Sequence, residues 1–196
     1  MSDTTTLSPG RIVDGVPVPA PGAWEIDPGH ADVAFTGRHF MVTKVCGRFT
    51  DVRGTVHIAE NMADSRVHVT IGMASVESGN PTRDDHLRSE ELFDVARFPE
   101  ARFRSTSVSW RGHEGVVTGN LTLHGVTRRV DLRVSFEGQV RDPWGGERAV
   151  FSASADVNRE DYGITWNTAL EAGGVLVSKD IRLSIDIETV LQTGVG

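Results

Sequence analysis

At 196 residues the chain fits one large domain or two small ones, and it can bury a sizeable core without metal or disulfide staples. Its 20 Lys and Arg stand against 27 Asp and Glu, a formal net charge of −7, which disfavours a nucleic-acid partner, because phosphate binding needs a basic stripe. Its one cysteine, Cys46, excludes an intramolecular disulfide, and no apolar run approaches the ~20 residues of a membrane-spanning helix.

Residues 1–22 are rich in Thr, Pro and Gly, and VPVPAPG (Val16 to Gly22) favours extended polyproline II. This segment is expected to be a flexible N-terminal arm whose removal leaves thermal stability almost unchanged. It has no charged region followed by an apolar one, so the expectation is a cytoplasmic protein.

From Trp24 onward the apolar period is mostly two. ADVAFTG puts Val33 and Phe35 on one face, and GTVHIAE does the same with Val56 and Ile58. RVHVTIGM repeats it with Val67, Val69, Ile71 and Met73. GNLTLHG presents Leu121 and Leu123, and RRVDLRVSFEG presents Val130, Leu132, Val134 and Phe136. AVFSASADV and DIRLSIDIETV give the faces Phe151–Val157 and Ile181–Ile187. One buried and one wet face mark antiparallel sheet. His124-Gly125 suits a tight hairpin, and RDPWGGER a Pro/Gly turn.

Two stretches break this period. RHFMVTKVCG (Arg38 to Gly47) reads as a short helix or turn. NPTRDDHLRSEELFD reads as a helix capped by Asn80, with Pro81 in its first turn and Asp84 and Asp85 favouring its dipole. Seven or eight strands at hairpin spacing predict a barrel or sandwich, and a barrel removes the exposed edges.

The order WEIDPGHADVAFTGRH, GRF, DDHLRSEELFDVARFPEARFRS, GNLTLHGVTRRVDL, VNREDYGI and a last alternating strand resembles the YceI-like family of polyisoprenoid-binding proteins. The resemblance covers about Trp24 to Leu191. It implies an all-β fold, an eight-stranded antiparallel lipocalin-like barrel with one or two short helices near the mouth. The barrel would span residues 23–192, with 193–196 as a tail. It would hold a long-chain isoprenoid or similar amphiphilic lipid, a quinone or polyprenyl compound, as carrier, store or sensor. No cofactor other than that lipid is implied. Many members are homodimers, and transient membrane contact would accompany lipid exchange.

Alternation nominates the barrel lining: Val33, Phe35, Val67, Val69, Ile71, Phe103, Leu121, Leu123, Val134, Phe136, Phe151, Ala153, Leu183 and Ile185. Ala153 and Ala155 between Phe151 and Val157 would leave room for a ligand, or would only fit the taper of a packed barrel. Phe40, Leu87, Leu92, Phe93 and Phe98 would wall the opening. His39, His86, Arg88 and Arg159 are candidates to meet a polar head group. Their alternative is local: His86 capping backbone, Arg88 pairing with Glu91, and Asn158 and Asp161 bonding their own turn.

Other chemistry finds little support. Cys46 has no local base partner and reads as a buried or half-buried structural thiol. The seven His show no H-x-x-x-H metal spacing. If NMAD closes a hairpin, His57 faces His68 on the outer surface, two ligands where a metal site wants three or four. Two further functions stay open: an enzyme acting on an isoprenoid-like substrate with His39 or His86 as acid/base, and a ligand-free packed barrel serving as an interaction module.

Overall fold

The alternating runs form strands because one face of each is apolar and the other polar, and pairing them edge to edge buries a continuous interior. The computed structural model describes residues 10–40, 42–168 and 177–192. In chain order these contain β1 (Arg11–Val13), β2 (Val16–Val18), β3 (Gly22–His39), β4 (Thr43–Phe49), β5 (Val52–Ile58), β6 (Arg66–Gly72), β7 (Val76–Glu77), α1 (Pro81–Arg88), β8 (Glu100–Arg111), β9 (Glu114–Leu123), β10 (Val126–Arg141), β11 (Glu147–Asn158) and β12 (Asp180–Leu191).

The main sheet runs β3-β5-β6-β8-β9-β10-β11-β12, and β12 pairs back onto β3. Closure leaves no free edge along these strands. β4 and β5 together make one bent stave: β3 pairs its outer half with β4 (Val33 opposite Phe49) and its first residues with β5 (Gly22 opposite Ile58). β6 and β7 likewise continue each other around the 3-10 turn Met73–Ser75. The result is an eight-stave antiparallel barrel. Register shifts at Ser105/Ser107, Phe136/Gly138 and Ile187/Thr189 are bulges that bend strands around the wall.

Local signals hold where backbone chemistry is decisive. Leu123 pairs with Val126, and His124 (φ 51°) and Gly125 (φ 73°) between them make the two-residue turn that matches strand twist. Asn80 caps α1 by accepting from the Arg83 N–H at 3.1 Å. The helix stops at Arg88 rather than running to Phe93, because Ser89 turns the chain and its hydroxyl donates to the His86 carbonyl at 2.7 Å.

Three expectations are corrected. Arg38–Gly47 is not a helix but the end of β3, a turn and most of β4; Val45, Gly47 and Phe49 fall at strand spacing and pair with β3. The β5–β6 hairpin pairs Val56 with Val67, so His57 faces Arg66 and His68 faces Thr55. The connection takes more residues than NMAD, since Asn61 caps a 3-10 turn and Ser65 is buried, its hydroxyl accepting from the Ala59 N–H. Residues 10–20 are not a free arm. β1 and β2 form a hairpin that seats Val18 and Pro19 in the interior, and the Ala20 carbonyl accepts from the Trp24 indole at 3.1 Å. Residues 1–9 and 193–196 lie outside the described residues.

The N-terminal hairpin closes one end over a core of Trp24, Val56, Ile58, Phe136, Ala149 and Phe151. On the outer wall Arg148 draws three strands together. It donates to Asp27 of β3 at 2.8 Å, to Asp142 of the β10–β11 turn at 2.9 Å, and to Glu188 of β12. The guanidinium holds the Asp27 carboxyl down at about 2, and Asp142 is lowered by the same partner.

Candidate functional site

Among the described residues, the far end of the barrel is open. Its rim, again among the described residues, is built by the β3–β4 and β9–β10 turns, the stretch from Met73 to Pro99 that carries α1, and residues 159–168 and 177–179 between β11 and β12. Below the rim lies a cavity of about 410 Å³, and beneath it a second of about 130 Å³. Val33, Ile71, Leu121 and Leu183 line both, so the two chambers meet at a waist of four aliphatic side chains. A packed barrel would have no such space, so the ligand-free interaction module loses its defining feature.

The upper chamber is walled on one side by three aromatic rings. Phe35, Phe49 and Phe93 lie with ring centroids 5.5, 5.7 and 6.0 Å apart, the Phe35–Phe93 pair edge to face. Phe93 and Leu92 follow α1, and Leu87 lies on it, so the helix acts as an apolar shoulder over the opening. The helix is held there by Asp84, which is buried and accepts from the Ser78 N–H at 2.8 Å and from its hydroxyl at 2.5 Å. The lower chamber narrows toward Phe151 and is lined by Val67, Val69, Phe103, Val134, Ala153 and Ile185. Ala153 sits between Val134 of β10 and Ile185 of β12, where a larger side chain would fill the space.

Among the described residues, the charged and imidazole side chains of the lining all stand at the rim, and Ser65 is the one hydroxyl of the lower chamber. His39, His86, Arg38, Arg83 and Arg159 reach the upper chamber. Arg83 donates to the Ser78 hydroxyl at 2.7 Å and its carbonyl at 2.9 Å. The His86 Nε2 stands 2.8 Å from the Glu91 carboxylate, and its ring packs edge-on against Trp166 at 4.5 Å. Arg159 is only 6% exposed and donates to the carbonyls of Ser178, Ile164 and Trp166 at 2.7–2.9 Å. No carboxylate bonds it among the described residues, and burial pushes its pKa down.

Fourteen alternation-derived candidates thus split into two groups. Val33, Phe35, Val67, Val69, Ile71, Phe103, Leu121, Leu123, Val134, Phe151, Ala153, Leu183 and Ile185 line the chambers, with Leu87, Leu92 and Phe93 from the mouth. Phe136 is buried in the closed-end core instead, packed on Phe151 at 5.5 Å.

Four other placements are corrected. Phe40 stands in the β3–β4 turn, half exposed at φ 52°, outside both chambers. Phe98 packs on the His124 ring at 4.6 Å, beneath the β9–β10 turn. Arg88 faces away, donating to the carbonyls of Ala74 and Val76 and pairing with Asp85, not Glu91. Cys46 is exposed, its sulfur 3.4 Å from the Thr36 hydroxyl. Sequence reading missed Phe49, which shares period two with Val45 and was legible. It also missed Arg83, Ile164 and Trp166, which sit on a helix or in a loop where no strand period points the side chain.

Comparison with known proteins agrees with this architecture. Protein YceI of Salmonella newport is 42% identical over 164 residues, covering 83% of each chain. BcnA of Burkholderia cenocepacia has the same fold at a TM-score of 0.73 and 19% identity, over 83% of this chain and 98% of its own. The YCEI protein of Campylobacter jejuni matches at 0.68 with 27% identity, over 80% and 90%. A polyisoprenoid-binding domain from Saccharophagus degradans matches at 0.66 with 14% identity, over 86% and 98%. The YceI-like domain model matches residues 24–189, and with this extent of similarity the chain belongs to the YceI-like family.

Proposed function

We propose that the barrel binds one long-chain isoprenoid or similar amphiphilic lipid, a quinone or polyprenyl compound, tail inward, and acts as its carrier, store or sensor. The observation that carries this reading is the polarity of the channel: two joined apolar chambers, blind at the Trp24 end, in which, among the described residues, every charged side chain of the lining stands at the rim and the lower chamber has only the Ser65 hydroxyl and the Trp110 indole as polar groups. The description of the Saccharophagus degradans domain as polyisoprenoid-binding supports it.

The energetics suit a long apolar chain. Each buried CH₂ contributes ~0.8 kcal/mol, so about 20 carbons supply ~16 kcal/mol before the cost of ordering the chain. At the rim, one nitrogen of the Arg159 guanidinium has only a 3.5 Å contact with the Val177 carbonyl. It is therefore the donor best placed to reach a carbonyl, hydroxyl or phosphate head, with His39 and His86 alongside. A homodimer and a cytoplasmic setting belong to the same proposal. Native mass spectrometry of the purified protein, followed by organic extraction, tests it: one prenyl chain or quinone per barrel is expected. An apoprotein that also refuses added polyprenyl lipids would overturn it.

The His86–Glu91 pair is the one observation that favours acid–base chemistry on such a lipid. Both side chains are partly exposed at the rim, 35% and 56%, where water competes for the proton. Recovery of a chemically altered lipid after incubation, abolished by His86→Ala, would establish that reading; unchanged lipid would remove it.

A further inference from the structure

We infer that Phe40 and Val42, in the turn between β3 and β4, dock the open end of the barrel onto an anionic lipid bilayer. Its purpose rests on the lipid reading above, but its measurement does not. Phe40 is 51% exposed and Val42 76% exposed, both at the rim of the channel. Phe40 holds a left-handed backbone conformation, φ 52°, where Gly or Asn would be less strained. A bulky aromatic at that position gains nothing from the interior, since it lines neither chamber. Its ring instead stands against the His39 ring at 4.1 Å, apolar tip outward and imidazole toward the channel.

The charge around this tip distinguishes it from the other exposed apolar groups. Between Asp32 and Asp51 the chain has no carboxylate side chain, yet it carries Arg38, Lys44 and Arg48 in a protein of net charge −7. Arg48 pairs with Glu77, whereas Arg38 and Lys44 are exposed and form no ion pair among the described residues. One of the two lysines of the whole chain is therefore beside this turn. Of the other large exposed groups, Ile12 and Val13 of β1 and Trp144 of the β10–β11 turn lie at the closed end beside Asp14 and Asp142, and Val116 stands alone on the outer face of β9. An apolar wedge flanked by cations fits the interface of an anionic membrane, and it sits where a lipid would enter or leave.

The α1 side of the rim carries acidic residues, but most are engaged. Asp85 pairs with Arg88, Glu91 with His86 and Asp94 with Arg97, while Asp84 is buried against Ser78. The barrel would thus tilt onto its β3–β4 edge rather than sit with its whole rim on the surface.

Sedimentation of the full chain with vesicles tests this. Vesicles of phosphatidylcholine alone are compared with vesicles containing 30% phosphatidylglycerol, at low and high salt. Expected is binding to the anionic vesicles, weakened by salt, at least ~tenfold weaker for Phe40→Ser/Val42→Ser and about tenfold weaker for Lys44→Glu. Equal binding by the double variant, equal binding to neutral vesicles, or no sedimentation of the wild type would overturn it. So would a solution dimer, seen by ultracentrifugation, that the double variant abolishes, because the occupant would then be a second copy. Binding of a fluorescent polyprenyl probe from detergent is measured in parallel. Uptake by wild type and double variant alike, without vesicle docking, sinks the docking surface and leaves the lipid reading standing. Absence of uptake by either sinks the lipid reading instead.

Discussion

Gly47 of β4 lies directly opposite Phe35 of β3, and a Cβ at position 47 would stand 2.5 Å from the Phe35 ring. The glycine lets the ring fold flat over the neighbouring strand and leave the upper chamber open. Gly47→Ala is expected to push the ring inward. Overpacking of this kind costs about 1–3 kcal/mol. For a domain of this size that lowers Tm by about 2–4 °C per kcal/mol. Thermal melts read the cost, and a lower capacity for a polyprenyl probe would accompany it. A variant with unchanged melting and uptake would show that the ring has another place to go.

Ala153 controls the lower chamber. Ala153→Trp should fill much of the 130 Å³ beneath the waist and block a long chain while leaving the fold nearly intact. A short prenyl chain confined to the upper chamber should still bind. Titration with chains of two lengths decides: equal loss of both would mean that the bulk has collapsed the whole interior, and retention of the long one would refute the tail-inward orientation.

Acid should loosen the Arg148 cluster. Asp27 has a folded value of about 2 against an ordinary 3.8, so its contribution is fully present above pH 4. It is lost as pH falls toward 2, because the unfolded chain takes up the proton first. Arg148→Met removes the cause of the shift. Urea melts of both proteins between pH 6 and pH 2.5 should show a smaller acid loss in the variant, together with lower stability at pH 6. Parallel curves would place the acid sensitivity elsewhere.

Tyr162 behaves oppositely. It is buried, and its hydroxyl has no hydrogen-bond partner among the described residues. Burial raises the phenol to about 12 from 10, so stability is full below pH 10 and is lost as pH rises from 10 through 12. Tyr162→Phe removes an unsatisfied group and is expected to be neutral or stabilising at pH 7. It should also flatten the alkaline decline. A drop of several kcal/mol at pH 7 would reveal a partner for the hydroxyl.

Deletion of residues 1–20 is expected to destabilise the barrel by about 2–4 kcal/mol, since Val18 and Pro19 leave the interior and the Trp24 indole loses its acceptor. Red-shifted tryptophan fluorescence and a lower Tm would report the opened end. An unchanged melt would restore the view of this segment as a free arm.

The inward face of nearly every strand was legible in the sequence, because the pleat alternates side chains locally and a buried wall demands apolar residues on one side. Val33 with Phe35, Leu121 with Leu123 and Leu183 with Ile185 needed nothing more. The Asn80 cap and the His124-Gly125 turn were equally local, set by backbone donors and by positive φ. Tertiary structure alone decided which inward residues plug and which leave space. Phe136 and Ala153 both point inward, yet one fills the closed end and the other borders a cavity, a difference that depends on side-chain volumes summed around eight staves. It also decided the rim. Arg83 reaches the channel and Arg88 does not, Phe40 faces solvent and Trp166 the chamber, because away from a strand no period sets direction and distant packing does.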